Sequence, residues 1–162
     1  MFAQETTLFR FMLGYLQNLM ADFDERELNK PVAGAINPPA YILGHLAISN
    51  DFTLQLLGQA NVCPPEWHAA FGPGSTPDGM EIAYPSKQEL LDAIQRGHAR
   101  VCESVKTAMP EPMSQPQNFP FFAGTPIKTV GDCVALLMTT HFSLHIGQLS
   151  LMRRQCGRPP LF

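Results

Sequence analysis

The chain is predicted to be an all-α protein, a four-helix bundle with two long Pro/Gly-rich connections. Four segments carry apolar residues three or four apart, the period of a helix with one inward face. Capping and breaking residues bound these segments. Neither long connection alternates polar and apolar residues as a half-buried strand does, so no sheet is expected. Amphipathic helices of this length commonly bury their stripes against one another, with sites built into the shared core.

The first helix is expected from about Thr6 to Phe23, with Phe9, Met12, Leu16, Leu19 and Phe23 as its stripe. The second follows Asn37-Pro38-Pro39, where Asn37 can cap and a proline suits the first turn. It runs through Tyr41, Ile42, His45, Ile48, Phe52 and Leu56 to Gly58, a C′ residue. The third opens on a capping box formed by Ser86 and Glu89. Its stripe is Leu90, Leu91, Ile94, Val101, Cys102 and Val105, and Pro110 ends it. The fourth starts at Thr129 as a cap, passes Val134, Leu137, Met138, His141, His145, Gln148 and Met152, and stops at Gly157 before Pro159-Pro160. Between them lie Gln59–Pro85, with Pro64, Pro65, Gly72, Pro73, Gly74, Pro77 and Gly79, and Pro110–Lys128, with Pro112, Pro116, Pro120, Gly124 and Pro126. A helical turn is expected around Glu66-Trp67-His68. Connections this long in a compact domain tend to be lids or binding segments, and they leave room for a topology other than up-down-up-down.

The chain has 162 residues, enough for one domain with a substantial core, and no linker suggests a second. It carries a net charge of -3 and has a pI near 5.9. Neither value suits a nucleic-acid surface, which needs a concentrated basic patch. The basic cluster Arg153, Arg154 and Arg158 is expected to complement the negative end of the last helix. Cys63, Cys102, Cys133 and Cys156 are scattered, with no C-x-x-C pair, so neither a disulfide framework nor a cysteine zinc finger is expected. Gln4, Glu5 and Arg10 interrupt any apolar run at the start, and no apolar stretch is long enough to span a bilayer. A reducing cytoplasm is the expected location.

Chemistry concentrates on three histidines. His141 and His145 stand four residues apart on one helix, so their rings neighbour each other, with Cβ atoms about 5–6 Å apart. Both belong to the inward stripe between Met138 and Gln148. His45 sits on the second helix's stripe between Ile42 and Ile48. A buried imidazole needs a partner, because an unsatisfied polar group costs about 1–3 kcal/mol. Three rings from two facing helices can share one divalent cation, and three protein ligands leave positions open for water or substrate. Three separately hydrogen-bonded core histidines remain the alternative. Phe142 stands where a zinc peptidase has its glutamate, so the peptidase's general base is missing.

Two stretches resemble signatures of the DinB/YfiT-like family. Asn37-Pro38-Pro39-Ala40-Tyr41-Ile42-Leu43-Gly44-His45-Leu46 is similar to its second-helix segment. Thr129-Val130-Gly131-Asp132, leading to His141-Phe142-Ser143-Leu144-His145-Ile146-Gly147-Gln148-Leu149 and Arg153-Arg154, is similar to its last helix. Tyr84-Pro85-Ser86-Lys87-Gln88-Glu89-Leu90 resembles the start of its third. The resemblance implies a four-helix bundle of unusual connectivity, with His45, His141 and His145 as ligands of a divalent metal, nickel or zinc. It also implies a homodimer and, by analogy with members that use bacillithiol or mycothiol, a thiol-dependent S-transferase. A non-catalytic, metal-binding or stress-related bundle protein is the other reading.

Tyr41, Ser49 and Gln148 are candidate pocket residues, or else interior residues with local hydrogen bonds. His68, beside Trp67 in the first long loop, is expected to be an exposed loop residue, the alternative being a substrate contact or a fourth ligand in a lid; His98 is expected on a solvated or boundary face. Cys133, two helical turns before His141, is too far for the same ion and suits a small buried apolar role. Phe119, Phe121 and Phe122 are expected to cover a pocket mouth or anchor their loop. A hydrolytic reaction would need a general base, and no carboxylate is obviously placed beside the three histidines.

Overall fold

The computed structural model describes residues 1–32, 35–77 and 83–161, and all of its regular elements are helical. Gly79, in the first long connection, lies outside the described residues. α1 spans Ala3–Ala21 and buries Phe9, Leu16, Leu19 and Met20. A single turn, α2 (Glu25–Leu28), follows, and Asp24 caps it in a reciprocal box with Glu27. The D-x-x-E signal for that box was present in the chain.

α3 (Pro39–Leu56) starts at Pro38 without any side-chain cap, so Asn37 does not cap it. The two prolines set the extended entry and first turn by their own φ restriction. A one-sided stripe was expected of α3, yet the helix is buried almost all round, including Ser49, Asn50, Asp51 and Thr53. Gly58 closes it at a φ of 70°, as expected. α4 (Pro65–Phe71) extends the turn expected around Trp67.

α5 (Lys87–Ser104) opens on the Ser86/Glu89 box. It ends well before Pro110, which begins the short α6 (Pro110–Ser114). A proline's missing N–H is harmless in a first turn, so Pro110 marks a start as readily as a stop. A turn of 3-10 helix covers Pro120–Phe122. The last rod consists of α7 (Val130–Leu136), a π-helical segment (Leu137–His141) and α8 (Phe142–Gln155). Thr129 caps it in a box with Asp132, and Gly157 leaves it at a φ of 80°.

The four long rods form a closed ring. α1 packs on α5 and α8, and α3 packs on the same two helices. α1 and α3, consecutive in the bundle, are therefore diagonal, as are α5 and the last rod. Each diagonal step needs chain to cross an end of the bundle, supplied by residues 22–38 and 105–129. The third connection, 57–86, joins neighbours and is free to fold α4 onto α3.

Asn50 and Gly97 set the α3–α5 approach: a Cβ on Gly97 would lie 2.7 Å from the Asn50 Cβ. At that separation Asn50 donates to the Ile94 carbonyl at 3.1 Å. The arginine cluster does more than answer the helix dipole. Arg153 is buried and donates to Asp22 Oδ2 and the Pro159 carbonyl, clamping α8 to the end of α1. Arg158 pairs with Glu27 at 2.8 Å and lies over the Phe23 ring. Asp22 and Glu27 each sit 131 residues from their arginine, so local charge patterning could not indicate them.

Candidate metal centre

His45 projects from the middle of α3, His141 from the end of the π segment and His145 from the first turn of α8. One nitrogen from each ring lies within 4.8 Å of the others. The Nε2 atoms of His45 and His141 are 3.1 Å apart, and the His145 ring centroid is 4.7 and 4.6 Å from theirs. Thr139 Oγ donates back to Ala135 O at 2.6 Å and Ser143 Oγ to Thr139 O at 2.8 Å, bracketing the widened turns. Such back-bonding bends helices, and π segments recur at functional sites.

Outer contacts fix two of the rings. His45 Nδ1–H donates to the Phe71 carbonyl of α4 at 2.8 Å. A carbonyl only accepts, so Nδ1 holds the proton and Nε2 faces the cluster with a lone pair. α4 can come this close because residue 44 is glycine; a Cβ there would lie 2.5 Å from the Phe71 ring. His145 Nδ1–H donates likewise to Gln148 Oε1 at 2.8 Å. His141 Nδ1 is buried with no hydrogen-bond partner. Imidazoles whose far nitrogens are tied to oxygen acceptors are the usual second shell of a histidine metal site. Neutral nitrogen donors in this number suit zinc or a first-row transition metal rather than magnesium or calcium. The three residues fit a divalent cation.

Burial pushes the pKa of all three below that of an ordinary histidine. For His141, burial and the neighbouring His145 and His45 bring it to about 3. For His45 the Phe71 hydrogen bond opposes the shift, and for His145 the Gln148 bond does. At neutral pH the rings are uncharged, the form that binds metal. In metal-free protein, the unfolded chain takes up these protons near pH 6.5, the usual histidine value, while the folded chain refuses them until lower pH. This contribution to stability is therefore intact above that value and is lost as pH falls toward the folded pKa. Metal-free wild type is expected to lose stability between pH 6.5 and 4 more steeply than His141→Gln, by up to about 1.4 kcal/mol per pH unit. Denaturant melts across that range would show it, and equal slopes would contradict it.

Two cavities reach the cluster. The larger, about 490 Å³, is bounded by His45, His141, Ser49 and His68 and walled by rings that include Phe52, Phe119 and Phe122. The smaller, about 160 Å³, lies against His45 and His145, with Tyr41 and Asn37. Among the candidates, Ser49 and Tyr41 line these cavities; Ser49 also donates locally to the His45 carbonyl at 2.7 Å, and Tyr41 donates to the distant Ser75 O at 2.8 Å. Gln148 is exposed and holds His145. Phe119, Phe121 and Phe122 form a ring cluster over the larger cavity, with Phe119 edge-on to Phe52 at 5.0 Å. Cys133 is fully buried, and all four cysteines are free.

Two histidines lie elsewhere than their sequence surroundings suggest. His68 is not on an exposed loop: it sits on α4, half-buried, with Nε2 3.0 Å from the fully buried Asp51. The Pro64-Pro65 start of α4 was the available signal. His98 is buried, 5% exposed, against the Phe9 ring at a centroid distance of 4.1 Å. Its contacts come from α1, which no pattern within its own helix could show.

No helix among the described residues is long and apolar enough to cross a membrane. No curated protein matches the chain. Among solved structures, a conserved protein from Enterococcus faecalis aligns at a TM-score of 0.77 and 17% identity, over 98% of each chain. YfiT from Bacillus subtilis, described as a probable metal-dependent hydrolase with an unusual four-helix bundle topology, aligns at 0.67 and 16% identity. That alignment covers 96% of this chain and 87% of YfiT. The DinB superfamily matches residues 8–149, taking in all three clustered histidines, the whole of α3 and α5, and most of α1 and the last rod. With that span matched and the bundle shared, the chain belongs to the DinB superfamily.

Proposed function

We propose that His45, His141 and His145 hold one divalent metal ion, nickel or zinc, and that the protein joins a low-molecular-weight thiol to an apolar electrophile. The observation carrying this reading is the ring-walled cavity that ends on two of the three histidines. A bound ion would supply Lewis acidity, lowering the pKa of a thiol or water near it. The chain's own residues do the rest. Phe71 and Gln148 hold two rings with their ligating nitrogens inward. Phe52, Phe119 and Phe122 offer aromatic walls to an uncharged partner and displace water, which competes with the thiol.

The test is turnover of styrene oxide by metal-loaded protein with cysteine, glutathione, bacillithiol or mycothiol. The expected result is a thioether product formed only with thiol present. Metal-loaded protein that turns over nothing would leave the non-catalytic reading. Hydrolysis is a second reading, favoured by the His68–Asp51 pair, which places a base on the cavity wall. A diol formed without thiol would select it.

Association of two copies is also proposed. Leu144 and Leu151, seven residues apart on α8, are exposed at 64% and 56%. Exposed apolar side chains repeated along one helix face suit a second protein surface. Leu144→Glu is expected to convert a dimer to a monomer in size-exclusion chromatography with light scattering; a monomeric wild type would refute this.

A further inference from the structure

The geometry points to His68, held by Asp51, as the proton carrier of the larger cavity. This rests on the thiol-transfer reading. Joining a thiol to an electrophile releases the sulfur's proton inside an apolar cavity, and some group there must accept it. His45 and His141 are committed as ligands, and Ser49 donates its own proton to the His45 carbonyl. His68 is the remaining titratable side chain on the cavity wall.

Its surroundings set one tautomer. Asp51 is fully buried on α3 and accepts from Val62 N–H at 2.7 Å and Cys63 N–H at 3.0 Å. Its Oδ2 also lies 3.0 Å from His68 Nε2, which the exposed Asn61 side-chain amide approaches from outside at 3.2 Å. The buried carboxylate oxygens accept from two backbone donors already, and as acceptors they outweigh the exposed amide as the partner of Nε2. Nε2 therefore carries the ring hydrogen, which leaves Nδ1 with the lone pair. Among the described residues no protein group hydrogen-bonds Nδ1. A carboxylate behind one imidazole nitrogen while the other faces substrate is the orientation that general-base histidines use. Asp51 is a positioning residue here. The other titratable groups around it are Cys63, flanked by Asp51 and by the charge of Arg96 from α5, and His45 and His141 of the same cavity.

With an epoxide the step balances as follows. The thiol S–H bond breaks and its proton goes to Nδ1. The sulfur's electron pair forms the new S–C bond while the ring C–O bond breaks onto oxygen. That oxygen takes the proton back from Nδ1, leaving a β-hydroxy thioether and a neutral His68. Nothing is oxidised or reduced.

His68→Gln in the full-length, metal-loaded chain tests this, with styrene oxide and the same thiols. The variant is expected to keep its metal and its melting midpoint, lose at least about 100-fold in kcat/KM, and lose the acid limb of the pH–rate profile. Added imidazole is expected to restore part of the rate to His68→Ala, which a purely structural role would not allow. A rate within about threefold of wild type, with the acid limb retained, overturns the assignment. Thiol-independent opening that His68→Gln abolishes sinks the thiol reading and keeps His68 as proton carrier. If wild type turns over nothing, the thiol reading falls and NMR of isotope-labelled histidine nitrogens decides for His68. An Nε2–H tautomer whose Nδ1 resonance moves with saturating styrene oxide supports the role, and an unmoved one overturns it.

Discussion

Replacing His145 with alanine is expected to lower bound divalent metal from near one equivalent to below about a tenth, and to abolish any turnover, because one lost imidazole leaves two protein ligands. His45→Ala and His141→Ala should do the same, although they come from opposite sides of the cluster. Gln148→Ala removes only the acceptor behind His145 Nδ1, so a loss of about 10–100-fold in metal affinity is expected instead. Elemental analysis of protein purified without an affinity tag measures the first, and competition with a chelating dye the second. Wild type that binds no metal when supplied with zinc or nickel would sink the assignment. The three rings would then be ordinary core histidines, with His141 Nδ1 an unexplained buried orphan.

The second large effect is expected at a residue with no chemistry of its own. Gly44→Ala puts a Cβ 2.5 Å from the ring of Phe71, a fully buried side chain that has nowhere to rotate. α4 has to shift away from α3, at a cost of about 1–3 kcal/mol by overpacking. That shift also moves the Phe71 carbonyl that orients His45, so metal affinity should fall about 10–100-fold as well. Gly14→Ala is the control: nothing lies within 4 Å of its added Cβ, and the helix should gain up to about 1 kcal/mol. Thermal melts and metal titrations of the two variants give the comparison. If Gly44→Ala matches Gly14→Ala in both, α4 does not hold His45.

Much of the centre was legible early. His45, His141 and His145 each stand on an inward helical position, and the last two share a face because they are four apart. Period, caps and prolines are local signals, and they located all four long rods to within a few residues, except the end of α5. Where local rules allow two outcomes, packing chose between them. Pro110 could stop one helix or start another, Asn37 could cap or yield to Pro38, and His98 carried nothing that distinguished a core neighbour from solvent. The π segment had no usable signal, since Thr139-Thr140 fits an ordinary helix too.

By itself, then, the order of residues determined the four long helices, most of their boundaries and the inward positions of His45, His141 and His145, because each depends on neighbours within one or two turns. The folded chain decided how they meet. His45 and His141 are 96 positions apart, and Phe71 reaches back 26 to hold His45. The diagonal ring of helices, the glycine that admits α4, the clamp of Arg153 on Asp22 and the carboxylate behind His68 all join distant segments. Contacts of that kind are set by which surfaces pack together, and no local period or cap encodes them.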